Sequence, residues 1–438
     1  MKKYTYSTIL FLSLGIPFSA FSIEDYRLVD VGKYRRANPD PLDAIPTEST
    51  VTLGKQLGKG QTAVYSATVV DSMGRRHEIA AKPYSSSSGI TDENYEQEVR
   101  AIQNLRNENV LRPDDLVSKV DGLRVVVTPK VLADGTIIME KIQGMDGAKA
   151  THSTDPSQSP FANGYVDDLQ KAIQRMGELL GGLNSLHELG LVHHDIKLEN
   201  YMIEKRECPR EEIEAKVEAR ARQMTGITGE EKDLTEEKKQ ILNAAKIIAR
   251  SGLKPEDLYE FHIRIIDVGT LTPKGEVSPN TDGRWAPPED YDDGNRANPA
   301  DDMYRFATTL PVLLFGKAGN NLQEIFKEST DGQFANMRKS QNGEQPMTPE
   351  NIRYFILNQL QTINKKMKVN TRKSYPEPVL MEFAQIMTDC LSTDPTQRPT
   401  AETVLRKVTH LALSNWQRDE TGEYKPENTY KIEVLPNS

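Results

Sequence analysis

Residues 191 to 203 read "LVHHDIKLENYMI". Apolar ends flank two adjacent histidines, an aspartate, a lysine, a glutamate and an asparagine. Such a cluster can serve as metal ligands, as a solvated turn, or as a loop for phosphoryl transfer. Asp195 and Asn200 are five positions apart, with Lys197 between them. A carboxylate can accept a hydroxyl proton, and the lysine can neutralise charge on a migrating phosphoryl group. Downstream, "HIRIIDVG" ends an apolar strand in Asp267, followed by a pliant Val-Gly. This second carboxylate and the Asn200 amide oxygen suit a hard divalent cation. Zinc binding through His193 and His194 is the rival. Adjacent residues point in different directions, and no H-E-x-x-H or Cys-rich partner accompanies them, so zinc is disfavoured.

Upstream, "LGKGQTAVY" carries Gly58 and Gly60 between two strand-like stretches. Glycines at that spacing let backbone amides approach phosphate oxygens closely, although many hairpins hold two glycines for turn reasons alone. The short strand "HEIAAKPY" brings Lys82 to its end, and Glu98 follows sixteen residues later in a helical stretch. A lysine reaching into a site needs a fixed anion to orient it, and Glu98 can supply one. Taken singly, each is more often a surface charge.

The elements that must position these residues form two groups. "STVTLGKQLGKGQTAVYSATVVD", "HEIAAKPY", "GLRVVVTPKVL" and "TIIMEKI" read as strands, while "ENYEQEVRAIQNLRN" places Val99, Ile102 and Leu105 at helical spacing. Beyond residue 143 the chain turns helical, with "DDLQKAIQRMGELLGGLNSLHELG" and further patterns at 301–315, 350–366, 377–391 and 400–413. A small strand-rich unit followed by a larger helical one is an α+β pattern. Residues 204–261 read as a charged helical hairpin. Ile213, Val217, Ala221 and Met224 share one face, "TGITG" is the break, Asp233 and Glu236 form a capping box, and Ser251-Gly252 is a stop. The hairpin is a solvated decoration or a partner-binding surface.

Taken in order, "LGKG", "IAAK", a helix Glu, "HHDIKLEN", "DVG", "APPE" and "DPTQRP" resemble the eukaryotic-like serine/threonine protein kinase signature set, from about residue 50 to 412. The resemblance implies a bilobal fold, with a small antiparallel sheet lobe plus one helix and a larger helical lobe. It also implies ATP and Mg2+ as cofactors and protein substrates. Gly58 and Gly60 then match the loop above the phosphates, Lys82 the lysine on the α- and β-phosphates, and Glu98 its helix partner. Met139 matches the residue guarding the nucleotide pocket, and Glu140 and Ile142 would present backbone groups to adenine. Asp195 matches the catalytic aspartate, Lys197 the γ-phosphate contact, and Asn200 and Asp267 the magnesium ligands. Glu289 and Arg398 resemble a buried ion pair of the larger lobe, and Asp302 the aspartate that props the catalytic loop. The expected boundaries are an N-terminal arm at 23–48, the smaller lobe at 49–142, the larger lobe at 143–413 with its insert, and a tail at 414–438.

The chain departs from the family at several places. Ala63 stands where a third glycine is usual, and Val268 where phenylalanine is. Thr281 is one place off the usual threonine before the Pro-Glu pair. Asn200 and Asp267 are 67 residues apart (267 − 200), where the family has a short turn and two strands. His193 reads as the packed histidine of the loop. His194 occupies the place where arginine is common, and is expected to titrate near neutral pH and bind an anion weakly. A scaffold that binds nucleotide or a partner without catalysis is the alternative reading; retention of Lys82, Asp195, Asn200 and Asp267 favours the enzyme.

The composition is compatible with either. A net charge of −9 and a pI near 5.5 exclude general affinity for nucleic acid or anionic membranes. The N-terminus, "MKKYTYSTILFLSLGIPFSAFSIEDYR", has two lysines, a short apolar run broken by Pro17, and small residues at Ala20 and Ser22. It reads as a secretory signal peptide over 1–22, so export is expected, with delivery into a host cell as one destination. Cys208 and Cys390 are the only cysteines. No disulfide framework is expected, and Cys390, in an apolar pattern, is expected in the core.

Overall fold

The computed structural model describes residues 42–59, 63–84, 92–106, 125–162, 169–279, 285–291, 295–326, 348–371, 374–413, 416–418 and 424–426. The signal-peptide segment, Gly60 and Thr281 lie outside them. The smaller lobe is a five-stranded antiparallel sheet in the order β1-β2-β3-β5-β4. Its strands are β1 (Thr52–Lys59), β2 (Ala63–Val70), β3 (Arg76–Lys82), β4 (Lys130–Val131) and β5 (Ile137–Glu140). One helix, α1 (Asp92–Arg106), belongs to this lobe and buries Ala101, Ile102 and Leu105. Five strands and one helix are what the periodicity led us to expect.

Alternation along the strands sorts the two faces. Ala67, Val69, Ile79, Ala81 and Ile138 point to the face away from Lys82 and form a separate small core. That core reaches back to Leu42 and Ile45, which are 2% and 0% exposed. The end of the segment expected as an extended arm is therefore a packed turn, and the lobe begins before residue 49. Lys130 Nζ donates to the carbonyls of Leu42 and Ile45, and the Ala133 amide donates to Thr47 O at 2.8 Å.

Beyond a short β6 (Gly144–Asp146) and α2 (Gly147–His152) the chain is mainly helical. Helix α3 (Leu169–Glu188) leads into β7 (Leu191–Val192), and β8 (Tyr201–Glu207) follows the catalytic-type loop. The insert contributes α4 (Arg210–Thr225), α5 (Glu236–Ser251) and the single turn α6 (Pro255–Leu258), and β9 (Tyr259–Ile265) returns to pair with β8. After β10 (Thr272–Pro273), the lobe is completed by α7 (Pro299–Phe315), α8 (Asn320–Ile325), α9 (Pro349–Thr371), α10 (Glu377–Cys390) and α11 (Ala401–Leu413). Helix α7 is buried along its length from Asp301 to Phe315. A helix buried on every side, its few polar groups included, is central, and the others pack around it. Among the described residues no helix is long and apolar enough to cross a membrane.

The insert is shorter than expected. β8 runs through Glu207 and β9 begins at Tyr259, so only 208–258 leave the ladder. Gly226, at φ 67°, ends α4 in the left-handed conformation that glycine adopts without a Cβ penalty. Thr235, rather than Asp233, caps α5, its hydroxyl accepting from the Lys238 amide at 3.4 Å. Val217 and Ala221 face Leu242, Ala245 and Ala249 in a small core, whereas Met224, expected on that face, is exposed. Both cysteines are free and buried, Cys390 in the large core as expected.

Truncating Ile45 to alanine empties a fully buried site beneath the sheet, and should destabilise the protein by about 2–5 kcal/mol in denaturant titration. A linker-like arm would show no loss.

Candidate active site

The catalytic-type loop hangs from a buried carboxylate. Asp302, in the first turn of α7, is 0% exposed. It accepts the His194 amide on Oδ1 and the His193 amide on Oδ2, both at 2.8 Å, and His187 Nε2 at 2.9 Å. Burial alone would favour the neutral acid. The hydrogen bond from His187 and the surrounding histidines override it and hold the carboxyl well below the usual carboxylate range. His193 is 0% exposed, and its Nδ1 accepts the Asp195 amide at 3.3 Å. Its backbone carbonyl accepts from Thr270 Oγ1 at 2.6 Å, which joins the loop to the segment after Asp267.

Around Asp195 the expected groups converge. Lys197 Nζ lies 2.7 Å from Asp195 Oδ2. Asn200 Nδ2 donates to the same oxygen and to the Asp195 carbonyl, both at 2.8 Å. With its nitrogen so engaged, the Asn200 side chain offers its oxygen to a cation. Asp267 is brought alongside by the ladder. Tyr201 pairs with Ile265, and the Ile266 amide donates to Asn200 O at 2.9 Å. Asp267 is exposed with φ 60°, and Val268 beside it is 1% exposed in the main core. Valine thus takes a buried place despite replacing an aromatic residue. The oxygen-only donor set of Asn200 and Asp267 fits Mg2+.

From the smaller lobe, Lys82 Nζ meets Glu98 Oε2 at 2.5 Å. Burial raises the Glu98 pKa, and the lysine pulls against that rise. A Cβ added at Gly269 would stand 3.3 Å from both Asp267 Oδ1 and Glu98 Cγ. The backbone after Asp267 therefore passes close to α1, and the Lys82, Glu98 and Asp267 groups are gathered at one place. Gly58 sits in β1 opposite Val64, and nothing occupies the space a Cβ would fill there. Met139 packs against the main core, and Glu140 and Ile142 lie at the junction of the lobes. In the larger lobe, Arg398 makes a two-pronged contact with Glu289, its Nη2 to Oε2 distance being 2.7 Å. Arg398 also stacks 4.9 Å from the Tyr304 ring centroid.

The structure corrects the expectation for His194. Its side chain is 1% exposed, and neither ring nitrogen has a hydrogen-bond partner; Nδ1 is 3.7 Å from Asp301 Oδ2. Burial pushes its pKa down to about 4, against the pull of Asp302, so it neither titrates near neutrality nor is open to an anion from solution. Beside it, burial and then the charges of Asp290 and Glu289 raise Asp301 to about 8. Sequence reasoning missed His187, Thr270 and Arg264. His187 and Thr270 look like ordinary surface residues until the fold brings them to Asp302 and His193. Among the described residues the only grouping with metal-ligand spacing is Cys208, Glu212 and Glu260. It bridges the base of the insert and β9, and the Lys216 ammonium already meets Glu212 at 2.5 Å and Cys208 at 3.6 Å.

Arg398→Ala would leave Glu289 without its counter-charge, and should cost about 3–5 kcal/mol in denaturant titration. His194 titrates below its unfolded value, so its contribution is complete above pH about 6.5 and is lost as pH falls towards about 4. The stability difference between wild type and His194→Gln should therefore rise across that window and stay flat above it. Equal slopes for the two proteins would refute the assignment.

Residues 51–214 match the family model of the protein kinase domain. The match ends inside α4, where the insert leaves the ladder. No match is found among curated proteins. The match, set on a small antiparallel sheet lobe and a larger, mainly helical lobe, shows that this chain carries a domain of the protein kinase family.

Proposed function

We propose that the chain is an ATP- and Mg2+-dependent serine/threonine protein kinase. The observation that carries this reading is the 2.5 Å contact of Lys82 with Glu98, formed in the same fold as the linked Asp195, Lys197 and Asn200. A scaffold has no need to keep a lysine, a base and two cation donors together. In this reading Lys82 holds the nucleotide phosphates and Asn200 and Asp267 hold Mg2+, which shields phosphate charge when bound. Asp195 orients the incoming hydroxyl and takes its proton, and Lys197 steadies charge on the transferred group. Lys197, two residues after the base, supports serine or threonine as acceptor. A buried His194 stands where the family commonly has the arginine that pairs with a phosphorylated activation segment; activity independent of such a phosphate follows.

We further propose export through the N-terminal segment 1–22, with a host cell as one destination, supported by its lysines, apolar run and small residues. Full-length protein with its first residues intact in the producing cell's cytosol would overturn this.

The kinase test is incubation of the protein with labelled ATP, Mg2+ and a protein mixture. Asp195→Asn should reduce transfer by about 10²–10⁴, and Asp267→Ala should abolish Mg2+-dependent transfer. Phosphoamino-acid analysis should show phosphoserine or phosphothreonine. Equal incorporation by wild type and both variants would refute the assignment, and phosphotyrosine alone would refute the acceptor class.

A further inference from the structure

Arg264 is a second cation near the nucleotide side of the fold, and the kinase reading does not use it. It lies on β9, three residues before Asp267, and is 1% exposed. Its guanidinium reaches two carboxylates on different parts of the chain. Nη1 donates to Glu204 Oε2 at 2.9 Å, across the β8–β9 ladder within the larger lobe. Nη2 donates to Glu140 Oε2 at 2.6 Å, and Glu140 is the last residue of β5 in the smaller lobe.

The two contacts are not equivalent. Glu204 is itself buried and meets Arg264 within one sheet, its carboxylate shared with the part-exposed Arg206, so the larger lobe holds the Arg264 guanidinium without Glu140. Glu140 is part-exposed and could satisfy its carboxylate with water. A buried cation that reaches past its own partner to a carboxylate across the lobe junction constrains the junction. The chain between them is short: β6 begins at Gly144 and pairs with Glu204. A Cβ at Gly144 would stand 2.0 Å from the Ile203 carbonyl oxygen, so the backbone is pressed against β8 there. Residues 141–143 are thereby held at both ends, by Glu140 on Arg264 and by Gly144 on β8.

We infer that Arg264 is a positioning residue for the nucleotide. It fastens the connection between the lobes to the strand that carries Asp267, so that the backbone groups at 140 and 142 and the Asp267 carboxylate keep a fixed separation. Glu204 anchors the guanidinium, and Glu140 is the part that the anchor holds. This rests on the kinase reading for its ligand, but the latch itself is a property of the free chain.

Two readouts test it on the full protein. The first is hydrogen–deuterium exchange without nucleotide. Glu140→Met, which removes the acceptor and leaves the Arg264–Glu204 pair, should speed exchange of the 141–143 amides. The second is the dissociation constant of a non-hydrolysable β,γ-imido ATP with Mg2+. Glu140→Met should raise it by roughly tenfold or more, the weight of one charge-assisted hydrogen bond, and should raise KM for ATP more than it lowers kcat. Glu140→Gln keeps the acceptor without the charge and should fall between. Arg206→Met is the control: Arg206 also touches Glu204, at 3.2 Å, but makes no bond to β5, so both readouts should stay at wild-type values. Unchanged exchange at 141–143 in Glu140→Met overturns the latch. Faster exchange with unaltered nucleotide affinity overturns its positioning role. If wild type binds no nucleotide, the kinase reading fails, and the exchange measurement alone decides whether the latch exists.

Discussion

One buried carboxylate sets the geometry of the loop on which the chemistry turns. Asp302 has no contact with water, and it remains ionised because three N–H donors converge on it. Two of those donors are backbone amides of His193 and His194, so the carboxylate grips the chain itself. Buried unpaired charge is expensive, and removing any donor leaves part of that cost exposed. The loop therefore has little freedom to rearrange around the carboxylate. His194 at φ 63° is held in a backbone region that residues with a Cβ rarely adopt. Its place is over-determined by the bonds on either side.

From that anchor the remaining groups are set by ladders and by helix packing. The β8–β9 pairing carries Asp267 to the side of Asn200. Helix α1 carries Glu98 to the end of β3, where Lys82 waits. The contact between Lys82 and Glu98 joins elements of the smaller lobe alone, so it reports the seating of α1 on its sheet. Gly269, close to Glu98 and to the Asp267 carboxylate, extends that seating to the larger lobe. Position of the helix and position of the cation-binding carboxylate are thus one geometric condition.

Much of this was legible in the residues. Period-two and period-3.6 patterns located the five strands, α1 and the long helices of the larger lobe, but not the short α2 and α8, because one face of each long element must be apolar. The ordered motifs alone point to Lys82, Glu98, Asp195, Lys197, Asn200 and Asp267. Three kinds of information were not legible. Leu42 and Ile45 sit among prolines and acids, so a polar neighbourhood concealed two core residues. His194 reads as a surface titrating group, because burial is a property of the whole fold and carries no local signature. Arg264 carries no signal of its own in the apolar strand before Asp267, since its two carboxylates lie 60 and 124 positions away.

The ladder between β8 and β9 has one more consequence. Seven consecutive pairings, from Tyr201 with Ile265 to Glu207 with Tyr259, separate the cation donors from the two added helices. Closing a longer loop adds only about 0.6 kcal/mol for each doubling of its length, and the paired strands keep their register whatever the tip carries. The far end of this hairpin is therefore a port at which whole helices can be gained, lost or exchanged. The ruler that spaces Asn200 from Asp267 would read the same after any such exchange.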